Sequence, residues 1–444
     1  MTEYLISNAR IVNEGQQSEG DVLVRDGRIA QIGNAITAPA QARVIDAAGR
    51  VLLPGMIDSH VHCREPGLTH KADIASESRA MVAGGITSFM DMPNVQPPTT
   101  DNDALAAKQT LAEGRAMANY GFHLGATNDN IEAIKALDPQ TTPGIKVFMG
   151  ASTGRMLVDD EAALDAIFAS APVPVLTHCE DTPMIEAAEQ QARARYGADV
   201  PMREHPNIRS RQACYASTTR AVELAQRHGT QLHVLHLTTA DEMVLFEPGA
   251  MAGKQITGEA CVHHLFFCDD DYAAKGTLIK CNPSIKTAAD RDALRKAMAS
   301  GRIDIIGTDN APHLLAEKDN SYFDAPAGLP LVQYALVAML EHVTAGHLTL
   351  EQLAAKCAHN PAQRFGVVER GYIREGYWAD LVLVDVDRPT GAANDQVLAK
   401  CGWTPFAGHV FGSSIAATFV SGQLAYHEGE VNPRCMGRAL RYNH

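Results

Sequence analysis

Residues 58–67 read "DSHVHCREPG" and close an apolar run that begins at Val51 with "VLLPGMI". An extended chain alternates its side chains between two faces, so Asp58, His60, His62 and Arg64 would share one face of a strand. An apolar approach that ends in polar residues on a single face delivers chemistry at the C-terminal end of that strand, where an α/β barrel keeps its active site. The competing architecture is a doubly wound open sheet, which normally carries a Gly-rich phosphate loop after its first strand. Here the first strand runs into "HVHCREPG" instead, and that favours the barrel. The His-x-His pair taken alone is unspecific, because ordinary surface histidines also occur at this spacing.

The same rhythm continues through the middle of the chain. Eight apolar strand-like runs recur, from "GMIDSH" and "GITSFMDM" through "VPVLTH" and "QLHVLHL" to "IDIIGTD". Helical stretches such as "KADIASESRAMVAGG" and "SRQACYASTTRAVELAQRHG" lie between most of them. Eight is the number that closes a (β/α)8 TIM barrel. The two ends have a different texture, with alternating strands and tight turns at Asp26-Gly27 and Ser421-Gly422. Neither end is long enough to bury a sheet face alone. The expected organisation is a small β-sandwich domain built from residues 1–53 and 367–444, with the barrel at 54–366 inserted between them.

The bulk composition narrows the function classes. The chain has 444 residues, 45% hydrophobic and 20% charged, which fits a soluble globular protein. A formal charge of −14 argues against nucleic acid and against a basic membrane-surface role, and does not by itself identify a partner. Nine scattered cysteines without a C-x-x-C pair indicate a reduced protein rather than a disulfide framework or a zinc ribbon. The N-terminus has no basic stretch followed by an apolar core, and no apolar run reaches the length of a membrane span, so a cytoplasmic location is expected.

Several of the barrel strands end in a metal-ligand type: His60 and His62 on the first, His178 on the fifth, His236 on the sixth and Asp309 on the eighth. Each has a plain structural alternative, since either later histidine could sit satisfied in the core and Asp309 could cap a helix. Convergence of four histidines and an aspartate on one rim is much harder to explain that way. Imidazole and carboxylate suit a divalent ion, zinc first, with cobalt or manganese able to fill the same set. Lys146, in "GIKVFMG" on the fourth strand, has no such reading from its chemistry, because an ammonium group is a poor ligand and costly to bury. His263 and His264 read as packing or capping residues beyond the seventh strand, and Cys63 points away from the ligand face.

With "DSHVHCREPG", "MPNVQPPT" and "GTDNAPH", the chain resembles the amidohydrolase superfamily over nearly its whole length, and the dihydroorotase family within it. The resemblance implies a carbamate on Lys146, formed from CO2, that bridges two divalent ions. One ion would be held by His60, His62, Lys146 and Asp309, the other by Lys146, His178 and His236. Two ions about 3.5–4 Å apart acidify a bridging water and polarise a carbonyl. Asp309 would act as the general base and return the proton to the leaving nitrogen. The implied reaction is the reversible hydrolysis of L-dihydroorotate to N-carbamoyl-L-aspartate in pyrimidine biosynthesis.

The resemblance also gives Arg64 a task, since a planar guanidinium pairs a carboxylate and dihydroorotate carries one. Asn94 and His313 would complete that pocket and Asn282 would contact the ring, while Lys286 stands where many relatives carry arginine. A homodimer or tetramer is implied in the same way. Two alternatives remain. A hydantoinase- or allantoinase-like enzyme would share the ligands but act on rings without this carboxylate, which leaves Arg64 unmatched. A non-catalytic scaffold paralogue would be expected to have lost ligands, and all six positions are filled. The loops at 150–160 and 311–330 are candidates to close over substrate.

Overall fold

Gly55 divides the apolar run in front of the first histidines between two sheets. The structure, a computed structural model, describes residues 2–150 and 156–444. Before the glycine, Val51–Pro54 pairs antiparallel with Leu381–Asp385 near the other end of the chain. After it, Met56–Val61 opens the barrel. A Cβ at Gly55 would stand 2.2 Å from Thr87 Cγ2, so the switch between sheets needs a residue without a side chain.

The eight expected barrel strands all form. They are β1 (Met56–Val61), β2 (Ile86–Asp91), β3 (Asn119–Phe122, resuming at Leu124–Gly125), β4 (Ile145–Phe148), β5 (Val175–His178), β6 (Leu232–Val234), β7 (Ile256–Cys261) and β8 (Ile305–Gly307). Neighbours pair parallel in chain order. The ring closes where Val61 bridges Asn310 and the His62 N–H donates to the Asn310 carbonyl at 2.8 Å. Every residue of β1 and β2 is buried, as expected of parallel strands covered on both faces. Intervening helices start and stop on local signals. Ser210 accepts from the Ala213 N–H to begin Arg211–His228, and Gly229 ends it at φ 71°, a left-handed conformation that favours glycine.

Both chain ends enter one nine-stranded sheet. Its two-residue turns, Asp26-Gly27 and Ser421-Gly422, have positive φ at both positions, the geometry that matches the twist of a hairpin. The period of two then sorts the apolar residues. Leu52, Leu381 and Leu383 face the small domain's own core, while Val51, Leu53, Val382 and Val384 join the core shared with the barrel. The sheet curls enough for Tyr4 and Phe419, three strands apart, to meet edge to face at 5.3 Å. Among the described residues no helix is long and apolar enough to cross a membrane.

Of the two loops proposed as covers, residues 151–155 of the first lie outside the described residues. The second is a wall rather than a free flap. Buried Lys318 donates to the carbonyls of Lys280, Pro326 and Gly328 at 2.8–3.0 Å, and Lys280 donates to those of Tyr322 and Ala325. Ammonium groups buried against carbonyls hold a loop, because opening it would strand the charge.

Gly55→Ala is expected to lower stability by about 1–3 kcal/mol, read from the thermal midpoint. Adding Thr87→Ala, which removes the two nearest atoms, should recover part of the loss. An unchanged midpoint in the single variant would show that the sheet junction has room.

Candidate active site

The barrel gathers the expected residues at the C-terminal ends of its strands. His60 lies inside β1 and His178 is the last residue of β5, whereas His62, His236 and Asp309 follow their strands by one or two residues. The strand parity expected to carry Arg64 stops at Val61. Arg64 instead swings into the site at φ 64°, and His236 and Asp309 also sit at positive φ, 37° and 50°. Such conformations are disfavoured for residues with a Cβ, and the surrounding structure must hold them.

One cavity of about 260 Å³ is lined by all ten expected side chains, namely the ligand set His60, His62, Lys146, His178, His236 and Asp309 together with Arg64, Asn94, Asn282 and His313. Asp309 Oδ1 lies 3.2 Å from His60 Nε2 and 3.0 Å from His62 Nε2. The His178 and His236 rings stand 4.6 Å apart, and His236 lies 5.4 Å from His60. Lys146 lines the same cavity with its ammonium 4.6 Å from the Phe148 ring centre.

Two buried carboxylates that sequence reasoning missed orient these rings. Glu259 on β7 accepts from His60 Nδ1 at 2.8 Å and from the His236 backbone N–H at 3.2 Å. Glu180 accepts from His178 Nε2 at 2.9 Å and from Arg209 at 2.6 Å. In a neutral ring a nitrogen that donates to a carboxylate leaves the other with its lone pair, which frees His178 Nδ1 as a ligand atom and would free His60 Nε2 once a cation displaces the proton that Asp309 and Glu259 stabilise there. The available signal was a carboxylate within an otherwise uncharged strand, "QITGEACV", and a glutamate two residues after His178.

The electrostatics favour a cation. Burial alone would depress His60, yet Asp309 and Glu259 raise it to about 9. Burial would raise the Asp309 carboxyl, but His60 and His62 hold it well below the usual range, so it is ionised. Burial keeps His62, His178 and His236 neutral and able to ligate. Lys146 is pulled down to about 8 by burial, and Asp309 and Glu259 oppose that only through space. His62 Nδ1, Asn94 Oδ1 and Asn282 Oδ1 are buried without a hydrogen-bond partner among the described residues. This donor set, three neutral imidazoles, a fourth poised beside carboxylates and an ionised aspartate, fits divalent ions. His263 and His264 are buried with rings 4.0 Å apart and lie outside the cavity lining, in keeping with a packing role.

Known proteins resemble this chain along its full length. A profile described as "Amidohydrolase family" matches residues 51–425. A dihydroorotase of Halobacterium salinarum is 37% identical over 95% of this chain and 99% of its own. An allantoinase of Bacillus velezensis is 30% identical over 96% of this chain and 94% of its own. The solved structure of an L-hydantoinase (dihydropyrimidinase) from Arthrobacter aurescens superposes with a TM-score of 0.93 at 27% identity, covering 99% of this chain and all of that one.

Glu259→Gln is expected to weaken zinc affinity about 10–100-fold, measured by chelator competition, because the amide no longer polarises His60. Unaltered affinity would show that His60 is oriented by something else.

Proposed function

The chain belongs to the amidohydrolase family, and we propose that within it the protein is a dihydroorotase, which opens and re-forms the cyclic amide of L-dihydroorotate. The observation that carries this reading is Arg64. The residue is 7% exposed, lines the cavity and has no carboxylate in ion-pair contact among the described residues. Burial depresses it, and Asp309, Asp91, Glu77 and Glu317 oppose that only from a distance. A buried unpaired charge is expensive, and a ligand carboxylate would relieve it. Asn94 and His313 would complete the carboxylate pocket beside Arg64, and Asn282, whose carbonyl oxygen is unmet among the described residues, would accept from a ring N–H.

His60, His62, Lys146 and Asp309 would hold one divalent ion, and Lys146, His178 and His236 the other, with Lys146 carrying a carbamate. When bound, the ions supply Lewis acidity and an acidified water. The carbamate needs an amine that is neutral at the moment it meets CO2, which the lowered Lys146 provides. Asp309, ionised beside His60 and His62, takes the proton released by the attacking water and delivers it to the amide nitrogen as the ring opens. Arg64 fixes the ring by its carboxylate so that the amide faces Asp309. The second reading, a hydantoinase or allantoinase, draws on the L-hydantoinase and allantoinase likenesses. Those rings carry no carboxylate and leave Arg64 unmet.

Turnover of L-dihydroorotate, hydantoin and allantoin by the zinc- and bicarbonate-treated protein tests the choice. Selective opening of dihydroorotate is expected, and activity on the other rings alone would establish the second reading. Arg64→Ala should lower kcat/KM for dihydroorotate about 10²–10³-fold with metal content unchanged. Loss of metal in that variant would contradict a substrate-binding role. In metal-stripped protein held at a fixed concentration of dissolved ¹³CO2, carbamate formation at Lys146 should speed up as pH rises towards about 8 and level off above it, because only the unprotonated amine reacts. A rate flat across that range would contradict the lysine's assignment.

A further inference from the structure

Three groups stand within hydrogen-bond distance of the His313 ring, while Glu317 Oε2 lies farther off, 3.9 Å from Nδ1. Lys71 Nζ lies 3.0 Å from Nδ1, while the Ala327 carbonyl and Arg64 Nη2 each lie 3.0 Å from Nε2. An ammonium can only donate, so Nδ1 must offer its lone pair and the ring proton resides on Nε2. That tautomer also supplies the Ala327 carbonyl with a donor. The opposite one would set Lys71 Nζ and an Nδ1–H against each other and leave the carbonyl facing a lone pair. Burial and the two flanking cations keep the ring from taking a second proton.

The consequence falls on Arg64. Its Nε donates to the Pro312 carbonyl at 3.0 Å, but its Nη2 abuts an N–H instead of a lone pair. Among the described residues that nitrogen has no other hydrogen-bond partner, and Arg64 lines the cavity. Lys71 is itself anchored, with Glu317 Oε1 at 2.9 Å and the other oxygen of Glu317 accepting from the Leu314 N–H at 2.8 Å. Lys71 is not among the residues that line the cavity, whereas its neighbour His313 is.

We propose that Lys71 is a positioning residue for carboxylate recognition, holding His313 in the Nε2–H tautomer so that the Arg64 guanidinium stays unsatisfied within the protein and available to the substrate carboxylate. This rests on the dihydroorotate reading. Without Lys71 the ring proton can move to Nδ1, and Nε2 then accepts from Arg64 and quenches it internally.

The test is ¹⁵N-histidine NMR on the metal-loaded full chain, with His313 assigned by its absence in His313→Gln, run beside steady-state kinetics. Wild type should show His313 protonated at Nε2. In Lys71→Met the proton should shift toward Nδ1 and KM for dihydroorotate should rise about tenfold, with kcat held within about twofold. Lys71→Arg, which still donates, should keep the tautomer and most of the affinity. A wild-type ring protonated at Nδ1, or a tautomer shift without a change in KM, would overturn the inference. So would an equal fall in kcat for dihydroorotate and for any ring lacking a carboxylate. Wild-type protein inactive on dihydroorotate, with the Nε2–H tautomer present, would instead overturn the substrate reading.

Discussion

The junction between β1 and β8 is the constraint on which the site depends. Asp58 sits wholly buried at this seam and accepts from the Thr308 N–H at 3.1 Å, the Thr308 hydroxyl at 2.6 Å and the His60 N–H at 3.2 Å. Burial pushes its carboxyl up to about 7 even against these donors. Beyond it the His62 N–H reaches the Asn310 carbonyl. Two strands nearly 250 residues apart in the chain are thereby locked in register, and the register brings Asp309 within 3.0–3.2 Å of His60 and His62. A slip of one residue would turn those side chains to the opposite face.

Charge burial is managed differently at the site and away from it. Lys108 pairs with Asp91, Lys318 is met by three carbonyls and Lys356 donates to the Ile303 carbonyl at 2.6 Å. Lys146 is just as buried and receives no such partner among the described residues. Burial lowers Lys146, Lys318 and Lys356 alike, and what sets Lys146 apart is an amine not engaged by a carbonyl or carboxylate and facing the cavity, where it is chemically available. The same contrast separates Arg364, which spends its guanidinium on the Leu232 and Gln255 carbonyls and the side chains of Gln231 and Thr257, from Arg64, which keeps one edge open.

Backbone strain follows the same division. Arg64, His236 and Asp309 occupy left-handed conformations that cost of order 1 kcal/mol or more apiece for residues with a Cβ. Each stands just past a strand end, where the chain must leave the ladder and still aim a side chain back over the barrel mouth. The hydrogen bonds of Glu259 to the His236 N–H and of Thr308 to Asp58 hold two of these turns in place.

The barrel was legible in the sequence because its evidence is local. Eight apolar runs and two-residue turns at Asp26-Gly27 and Ser421-Gly422 are set by side-chain alternation and backbone preference within a few residues. The ligand-type residues were legible for the same reason, since strand ends can be counted. The route of Arg64 was not, because parity ends where the strand ends and the turn after Cys63 is imposed by the β8 loop. Glu259 read as an unremarkable acid until His60 from another strand was in place, and Glu180 until Arg209 met it beside His178. The tautomer of His313 likewise depends on Lys71, Arg64 and Ala327 meeting around one ring. Sequence by itself determined the elements and the chemistry each strand end could offer. Only the tertiary structure decided which donors face which acceptors, because hydrogen-bond direction and charge burial are properties of groups brought together from distant parts of the chain.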